Sequence, residues 1–415
     1  MNHKHLVIIL LTAFTGGICL AQTKQTTEVN DFKPSATTQQ DKQYPQVNSE
    51  GRVRVSISAP QALKVQLDIG AVKYDLVKDD KGIWTGESNS QDEGFHYYQL
   101  NIDGASVPDP GSLYFYGASR WGSGIEIPAK DQDFYALKNV PHGQLCECQY
   151  FSETTKSVRH LYIYTPPGYD NDNSTRYPVL YLQHGMGENE TGWGNQGHAN
   201  LILDNLIAEG KATPLIIVME NSSVNLPHRD RPNASNPAQA GNQSQVAPTG
   251  DAKSPRPKAE GSPMGGFNFA AQFERILIDD LIPYIESNFR VIADQPHRAM
   301  AGLSMGGMQT RLITLANLDK FSQIGIFSGG SISIDDVNKA PDFKEKVKLV
   351  FTSFGSRELE NRRPGGPFGG DPKVNSDALS EAGINSHFYV SPLTAHEWQS
   401  WRRSLHEFAL LLFKN

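Results

Sequence analysis

The segment Gly-Leu-Ser-Met-Gly at 302–306 combines residue types and spacing that suit covalent chemistry. The apolar run before it (RAMAG) predicts a strand, and the run after it (MQTRLITLANL) predicts a helix. Side chains two places before and after the serine would collide in so sharp a turn, so glycine occupies both. Ser304 is therefore the predicted nucleophile. The backbone amide of Met305, at the start of the helix, is predicted to stabilise an oxyanion.

A serine hydroxyl needs a base, and proteins with this turn have the order serine, acid, histidine along the chain. Three histidines follow Ser304: His387, His396 and His406. His387 begins a predicted strand, and His406 lies inside the predicted last helix. His396 lies between a strand and a helix, at the carboxyl edge of a predicted sheet, where ligands bind in open α/β folds. His396 is therefore the predicted base.

The acid is expected between the serine and the histidine, in the loop after a strand predicted at 348–353. Glu358 fits this position. Glu360 and Asp371 are the alternatives, and each is more simply interpreted as a solvated loop carboxylate. The acid would orient the imidazole and stabilise its cation during turnover.

A glycine-containing loop should supply the second half of the oxyanion hole. The segment HGMGE at 184–188 directly follows a predicted strand, and its glycines allow close approach of the backbone. The backbone N–H of Met186 is predicted to act together with that of Met305. His184 is expected to hold the loop by hydrogen bonding.

Two kinds of alternation along the chain predict the elements that would position these residues. From about residue 150, apolar strand-like runs alternate with helical stretches, which predicts an α/β fold with a doubly wound sheet covered on both faces. The predicted strands are 160–165, 178–183, 214–219, 298–302, 323–327, 348–353 and 387–391. The predicted helices are 199–209, 267–289 (kinked at Pro283), 305–317, 373–382 and 397–413.

The N-terminal part differs from the rest of the chain. Residues 1–21 have a basic start, a short apolar core and small residues at the end, which predicts a cleavable signal peptide and a secreted or periplasmic location. Residues 22–45 are polar and are predicted to be a disordered tether. Residues 46–140 contain short alternating strands separated by turns, which predicts a small all-β sandwich. The catalytic domain is predicted at 141–415, with a 222–266 insertion interpreted as a mobile flap.

Composition restricts the classes of partner. The chain of 415 residues has 38 Lys and Arg against 45 Asp and Glu, a net charge of −7, which argues against nucleic acid as a partner. The apolar run near the start is too short to span a bilayer, so no membrane-spanning segment is expected. Cys146 and Cys148 could form a strained disulfide or be free thiols. No Cys/His cluster has zinc spacing, and neither a metal nor a cofactor is expected.

Six segments of the catalytic part resemble the esterase D-like enzymes of carbohydrate esterase family 1, which include feruloyl and acetyl-xylan esterases. They are YTPPGYD (164–170), YPVLYLQHGMGENETGW (177–193), FERILIDDLIPYIESNFRV (273–291), AGLSMGGMQT (301–310), FGSRE (354–358) and TAHEWQSWRRSLHEFALLLF (394–413). The resemblance implies an α/β-hydrolase fold and a triad of Ser304, Glu358 and His396. Many members have aspartate at the acid position. VPDPGSLYFYG (107–117) resembles the immunoglobulin-like sandwich that precedes many such enzymes and is akin to some glycan-binding modules.

The resemblance also implies the substrate class: esters on plant cell-wall polysaccharides or oligosaccharides. Feruloyl ester cleavage from arabinoxylan is the first expectation, and acetyl-xylan deacetylation is the alternative. A catalytically inactive glycan-binding protein is the alternative of another class. Trp193 and Trp398 lie near predicted site loops and are expected to stack on substrate, although packing in the core is an equal alternative for each.

Overall fold

The computed structural model describes residues 29–223, 267–360 and 370–414. Two antiparallel sheets occupy residues 33–127, and one mixed sheet of eight strands with flanking helices occupies most of the rest. The predicted class, an α/β-hydrolase sheet preceded by an all-β sandwich, is confirmed. The predicted signal peptide at 1–21 and residues 224–266 of the predicted flap lie outside the described residues.

The sandwich forms because its strands alternate apolar and polar residues. In Arg52–Ser58, for example, Val53 and Val55 are fully buried, and they pack with Leu67 and Leu100 of the other sheet. The first sheet has the order Lys33–Pro34, Gln46–Val47, Arg52–Ser58, Ile83–Ser90, Val77–Lys78. The second has the order Tyr114–Gly117, Arg120–Ile127, Gly94–Ile102, Val65–Ile69, Val72–Asp75, with Ala105–Val107 paired to Gly94–Ile102.

The described part of the predicted tether belongs to this sandwich, so the prediction of disorder is wrong for residues 29–45. Lys33–Pro34 pairs with Gln46–Val47, the Thr38 hydroxyl donates to the Pro45 carbonyl at 2.6 Å, and the Gln39 amide donates to the Gly111 carbonyl at 2.8 Å. Hydrogen bonds to backbone carbonyls hold this segment. Because backbone hydrogen bonds do not depend on an apolar side-chain pattern, the sequence carries no periodicity that would predict them.

The eight-stranded sheet positions the predicted site residues. Its order is Gln144–Ser152, Ser157–Thr165, Ile216–Glu220, Val179–Gln183, Arg298–Leu303, Gln323–Phe327, Leu349–Gly355, Ser386–Ser391. The six strands from Ile216–Glu220 onward are parallel to one another, and Ser157–Thr165 is antiparallel to both of its neighbours, Gln144–Ser152 and Ile216–Glu220. Because parallel strands end at the same edge, the loops after them meet there.

Helices cover the sheet. The α-helices are Gly192–Asn195, Ala199–Ala208, Phe267–Arg275, Ile282–Asn288, Met305–Ala316, Ile334–Asn338, Phe343–Lys346, Ser356–Glu360, Pro372–Glu381 and Trp398–Leu411. A π-helical segment, Ile276–Leu281, joins Phe267–Arg275 to Ile282–Asn288 where a kink at Pro283 was predicted. The wider π turn lies directly before this proline, which has no N–H to donate to the preceding turn. Both Cys146 and Cys148 are free thiols.

Candidate active site

Ser304 lies at the sharp junction between the strand Arg298–Leu303 and the helix Met305–Ala316. Its backbone has φ 52° and ψ −116°, a conformation that only a tightly constrained turn imposes on a non-glycine residue. A Cβ on Gly302 would lie 2.5 Å from the carbonyl carbon of Gly306, and a Cβ on Gly306 would lie 2.5 Å from the His184 carbonyl oxygen. The two glycines are therefore a steric requirement of the turn that exposes the serine.

The structure brings the three predicted triad residues together. His396 Nε2 lies 2.9 Å from Ser304 Oγ, and His396 Nδ1 lies 2.8 Å from Glu358 Oε2. A carboxylate can only accept, so Nδ1 carries the imidazole proton and Nε2 is left to accept from the serine hydroxyl. This is the arrangement in which a histidine can remove the serine proton.

Glu358 is held by several partners. Its Oε1 accepts hydrogen bonds from the Ser328 hydroxyl at 2.7 Å and from the Gly355 amide at 2.8 Å. Trp401 Nε1 donates to the Ser328 hydroxyl at 3.1 Å. Burial acts to raise the pKa of Glu358, but the hydrogen bond and charge of His396, with the other donors, bring that pKa below its usual value. Glu358 is thus an ionised, oriented partner for the histidine.

The alternative acids and histidines lie in other environments. Asp371 caps the helix Pro372–Glu381 by accepting from the amides of Lys373 and Val374, and Glu360 is exposed. The ring of His387 bonds to the Asn385 side chain, and that of His406 bonds to Glu407.

His184 is buried and structural. Its Nδ1 bonds to the Gly185 carbonyl at 2.7 Å, and its Nε2 accepts from the Ser222 amide at 3.0 Å. Burial lowers the pKa of His184 to about 4, so the ring is neutral at pH 7. The histidine fixes the loop that begins at Gly185.

This loop passes beside the nucleophile. A Cβ on Gly185 would lie 3.5 Å from the Cβ of Ser304, and the Glu188 amide donates to the Gly185 carbonyl at 3.3 Å. The Met186 side chain is 79% exposed. Met305 is the first residue of the helix that follows the serine, where backbone N–H groups have no partner within the helix. The two predicted amide donors thus belong to elements that border Ser304.

The two tryptophans expected to stack on substrate are core residues, so that prediction is wrong. Trp193 and Trp398 are only 1% and 2% exposed and contact each other edge to face at 5.5 Å. Trp193 Nε1 donates to the Gln183 carbonyl at 2.9 Å, and Trp398 Nε1 donates to the Tyr97 hydroxyl at 3.3 Å. Proximity to the site loops was the basis of the prediction, and proximity does not imply exposure.

Two residues beside the site were not predicted from the sequence. Glu188 lies at the end of the loop 184–188, and Tyr97 comes from the sandwich strand Gly94–Ile102. Their side chains are within hydrogen-bonding distance, 3.2 Å between Tyr97 OH and Glu188 Oε1. The position of Glu188 after a glycine loop was a usable signal, but nothing in the sequence pairs it with Tyr97.

The fold is of the α/β-hydrolase class, and the hydrogen-bonded serine, histidine and glutamate have the arrangement that nucleophilic attack on a carboxylic ester requires. The esterase family model, described as "Putative esterase", matches residues 152–246 and 245–361, about half of the chain. The chain belongs to this esterase family.

Three similar proteins illustrate the relationship. An endo-1,4-beta-xylanase/feruloyl esterase of Xylanibacter ruminicola is 42% identical over 392 residues, which are 92% of this chain and 48% of that protein. The chain therefore spans about half the length of this relative.

The other two are solved structures and show the fold alone. A ferulic acid esterase of Anaeromyces mucronatus has a TM-score of 0.51 and 20% identity, with 69% of this chain and 96% of that chain covered. The enterobactin esterase of Shigella flexneri has a TM-score of 0.55 and 13% identity, with 87% and 93% covered. Within the described residues, no helix has the length and apolar character needed to cross a membrane.

Proposed function

We propose that this chain is a secreted serine esterase that hydrolyses feruloyl esters on plant cell-wall polysaccharide such as arabinoxylan. The observation that carries the proposal is the continuous hydrogen-bonded series from Ser304 Oγ through His396 to Glu358, at 2.9 and 2.8 Å. The strained turn at Ser304 supports it, because backbone strain of this kind concentrates at functional sites. An inactive glycan-binding protein would have no need for this geometry.

The proposed reaction follows from these positions. His396 Nε2 takes the Ser304 proton as the hydroxyl oxygen attacks the ester carbonyl, and the amides of Met305 and Met186 stabilise the oxyanion. His396 then gives that proton to the leaving sugar hydroxyl as the C–O bond breaks, which leaves an acyl-serine. A water that donates its proton to His396 attacks the acyl-serine, and collapse of the second tetrahedral intermediate returns the proton to the serine and releases the acid.

Two observations favour the feruloyl substrate. The Xylanibacter ruminicola relative is named for a xylanase and a feruloyl esterase activity, and its similarity covers 92% of this chain, which contains the described triad. Two exposed apolar side chains, Met186 at 79% and Leu393 at 76%, lie on the loops that contain Gly185 and His396. An aromatic acyl group could cover such side chains, whereas an acetyl group offers little contact area.

The test is hydrolysis of methyl ferulate and p-nitrophenyl acetate by Ser304→Ala beside the wild type. Loss of the nucleophile should lower kcat by about 10⁴–10⁶-fold on both esters. Ser174→Ala, the same substitution in an exposed loop, serves as the control and should retain activity. Normal turnover by Ser304→Ala would show that this serine is not the nucleophile.

Comparison of rates on methyl ferulate and on acetylated xylan distinguishes the feruloyl from the acetyl substrate. Faster release of acetate from xylan would favour the acetyl-xylan esterase alternative. Binding to insoluble xylan without turnover of any ester would favour the inactive glycan-binding alternative. Export rests on the signal-like composition of residues 1–21, and N-terminal sequencing of the secreted protein tests cleavage after Ala21.

A further inference from the structure

The Tyr97 hydroxyl, which belongs to the sandwich, is a junction of hydrogen bonds beside the catalytic sheet. It accepts from Gln196 Nε2 at 2.7 Å and from Trp398 Nε1 at 3.3 Å. Its own proton points to Glu188 Oε1 at 3.2 Å or to the Tyr116 carbonyl at 3.3 Å. A phenolic hydroxyl has one proton and two lone pairs, so these partners use its full hydrogen-bonding capacity.

Two of these partners belong to the segments that carry the site. Glu188 closes the loop that starts at Gly185, and Trp398 begins the helix two residues after His396. Trp398 packs edge to face on Trp401 at 5.3 Å, and Trp401 packs on the His396 ring at 5.1 Å. The hydroxyl therefore contacts both the loop beside the nucleophile and the aromatic packing behind the base.

A second contact from the sandwich reaches the same loop. The Ser119 amide, in the turn between Tyr114–Gly117 and Arg120–Ile127, donates to the Gly187 carbonyl at 2.8 Å. Gly187 has φ +77°, and a Cβ there would lie 3.2 Å from the Ser119 nitrogen. The loop is thus held by the sandwich at two adjacent residues, Gly187 through its backbone and Glu188 through its side chain.

The carboxyl group at this junction is buried. Glu188 is 8% exposed, and its Oε2 has no hydrogen-bond partner among the described residues. Burial raises the pKa of Glu188 to about 8, so the group is a neutral acid at pH 7. Burial also raises the pKa of Tyr97, which keeps its hydroxyl protonated. Hydrogen bonds to a buried group are stronger than those in water, because the local dielectric constant is lower.

We propose that Tyr97 is a positioning residue of the esterase site: from the sandwich, its hydroxyl fixes the loop 185–188 and the start of the helix behind His396. This inference rests on the proposed function, since it assumes that the loop supplies an oxyanion-stabilising amide. It makes the sandwich part of the catalytic apparatus, acting through geometry and without contact with the ester.

The neighbouring residue supplies a matched control for the test. Tyr98 lies in the same strand, is 1% exposed, and donates its hydroxyl to Asp109 Oδ2 at 2.7 Å, within the sandwich. Tyr97→Phe and Tyr98→Phe each remove one buried phenolic oxygen. Both should lower the melting temperature, but only Tyr97→Phe should lower kcat on methyl ferulate, by about tenfold, with KM changed less than twofold.

The assays are run at a temperature where thermal unfolding shows each variant to be folded. Wild-type kcat in Tyr97→Phe, or an equal loss in Tyr98→Phe, would overturn the inference. If Tyr97→Phe does not fold, Gln196→Leu, which removes a donor to the same hydroxyl, decides in its place by the same criteria. An inactive wild type would refute the proposed function, whereas an active wild type with an unaffected variant refutes this inference alone.

Discussion

Replacement of Glu358 by glutamine is expected to abolish most turnover and leave the fold intact, because the two carboxylate oxygens have different partners. Oε1 accepts from the Ser328 hydroxyl and from the Gly355 amide, and Oε2 accepts from His396 Nδ1. A backbone amide can only donate, so the glutamine oxygen should occupy the Oε1 position. The glutamine NH₂ would then face Nδ1.

Two donors cannot form a hydrogen bond, so His396 would have to move its proton from Nδ1 to Nε2. In that tautomer Nε2 can no longer accept the proton of Ser304 Oγ, which lies 2.9 Å away. The negative charge that stabilises the imidazolium is lost as well. The expected decrease in kcat is about 10³–10⁴-fold, equivalent to about 4–5.5 kcal/mol in the activation barrier.

The assay is steady-state hydrolysis of methyl ferulate by Glu358→Gln, with thermal unfolding measured on the same samples. Glu360→Gln is the matched control, since Glu360 is exposed two residues further along the same short helix and should be dispensable. Retention by folded Glu358→Gln of more than a tenth of wild-type kcat would refute the reasoning. Loss of activity only in Glu360→Gln would mean that the acid was assigned to the wrong residue.

Two further predictions concern stability. Burial raises the pKa of Glu188 in the folded chain to about 8, so between pH 5 and 8 the folded chain retains this proton whereas the unfolded chain loses it. The free energy of unfolding that this group contributes therefore falls as the pH rises. Glu188→Gln should reduce that fall by on the order of 3 kcal/mol in chemical denaturation at pH 5 and 8, and an unchanged slope would contradict a neutral Glu188. Arg402 is fully buried and forms two bonds to Glu126 of the sandwich, at 2.6 and 2.9 Å. Arg402→Met should lower the free energy of unfolding by about 3–5 kcal/mol in urea denaturation, because it leaves the Glu126 carboxylate buried without its cation. The double variant with Glu126→Gln should recover part of this loss. A loss below about 1 kcal/mol in Arg402→Met would contradict this reasoning.

The sequence was sufficient to predict seven of the eight strands of the catalytic sheet, because the five central strands are buried along their whole length. Such strands are continuous apolar runs, and every strand of the sheet from Ser157–Thr165 to Ser386–Ser391 overlaps a predicted one. The edge strand Gln144–Ser152, which alternates exposed and partly buried residues, was not predicted. The short strand Lys33–Pro34 lacked this signal, since both residues are exposed and backbone pairing alone holds them. Hydrophobic patterning therefore predicts buried elements well and edge elements poorly.

The candidate site shows the same division. Ser304 and His396 could be predicted from local requirements, since a strand-to-helix turn imposes glycines and a loop at the sheet edge supplies the base. Exposure could not be predicted in this way, and Trp193 and Trp398 pack against each other in the core. Tyr97 lies more than 200 residues from Ser304, and no periodicity links a sandwich strand to a catalytic loop.

The last helix explains why the two domains must be considered together. Glycine at position 94, with φ +105°, lets the sandwich strand approach this helix so closely that a Cβ would lie 2.8 Å from Gln399 Cβ. Gln399 and Arg403 both bond to Asp131, at 3.0 and 2.6 Å. These contacts fix the helix that follows His396 from the side opposite the sheet. Because a base must be held within about 0.5 Å of its productive position relative to the nucleophile, a rigid partner on that side contributes to the geometry of the site.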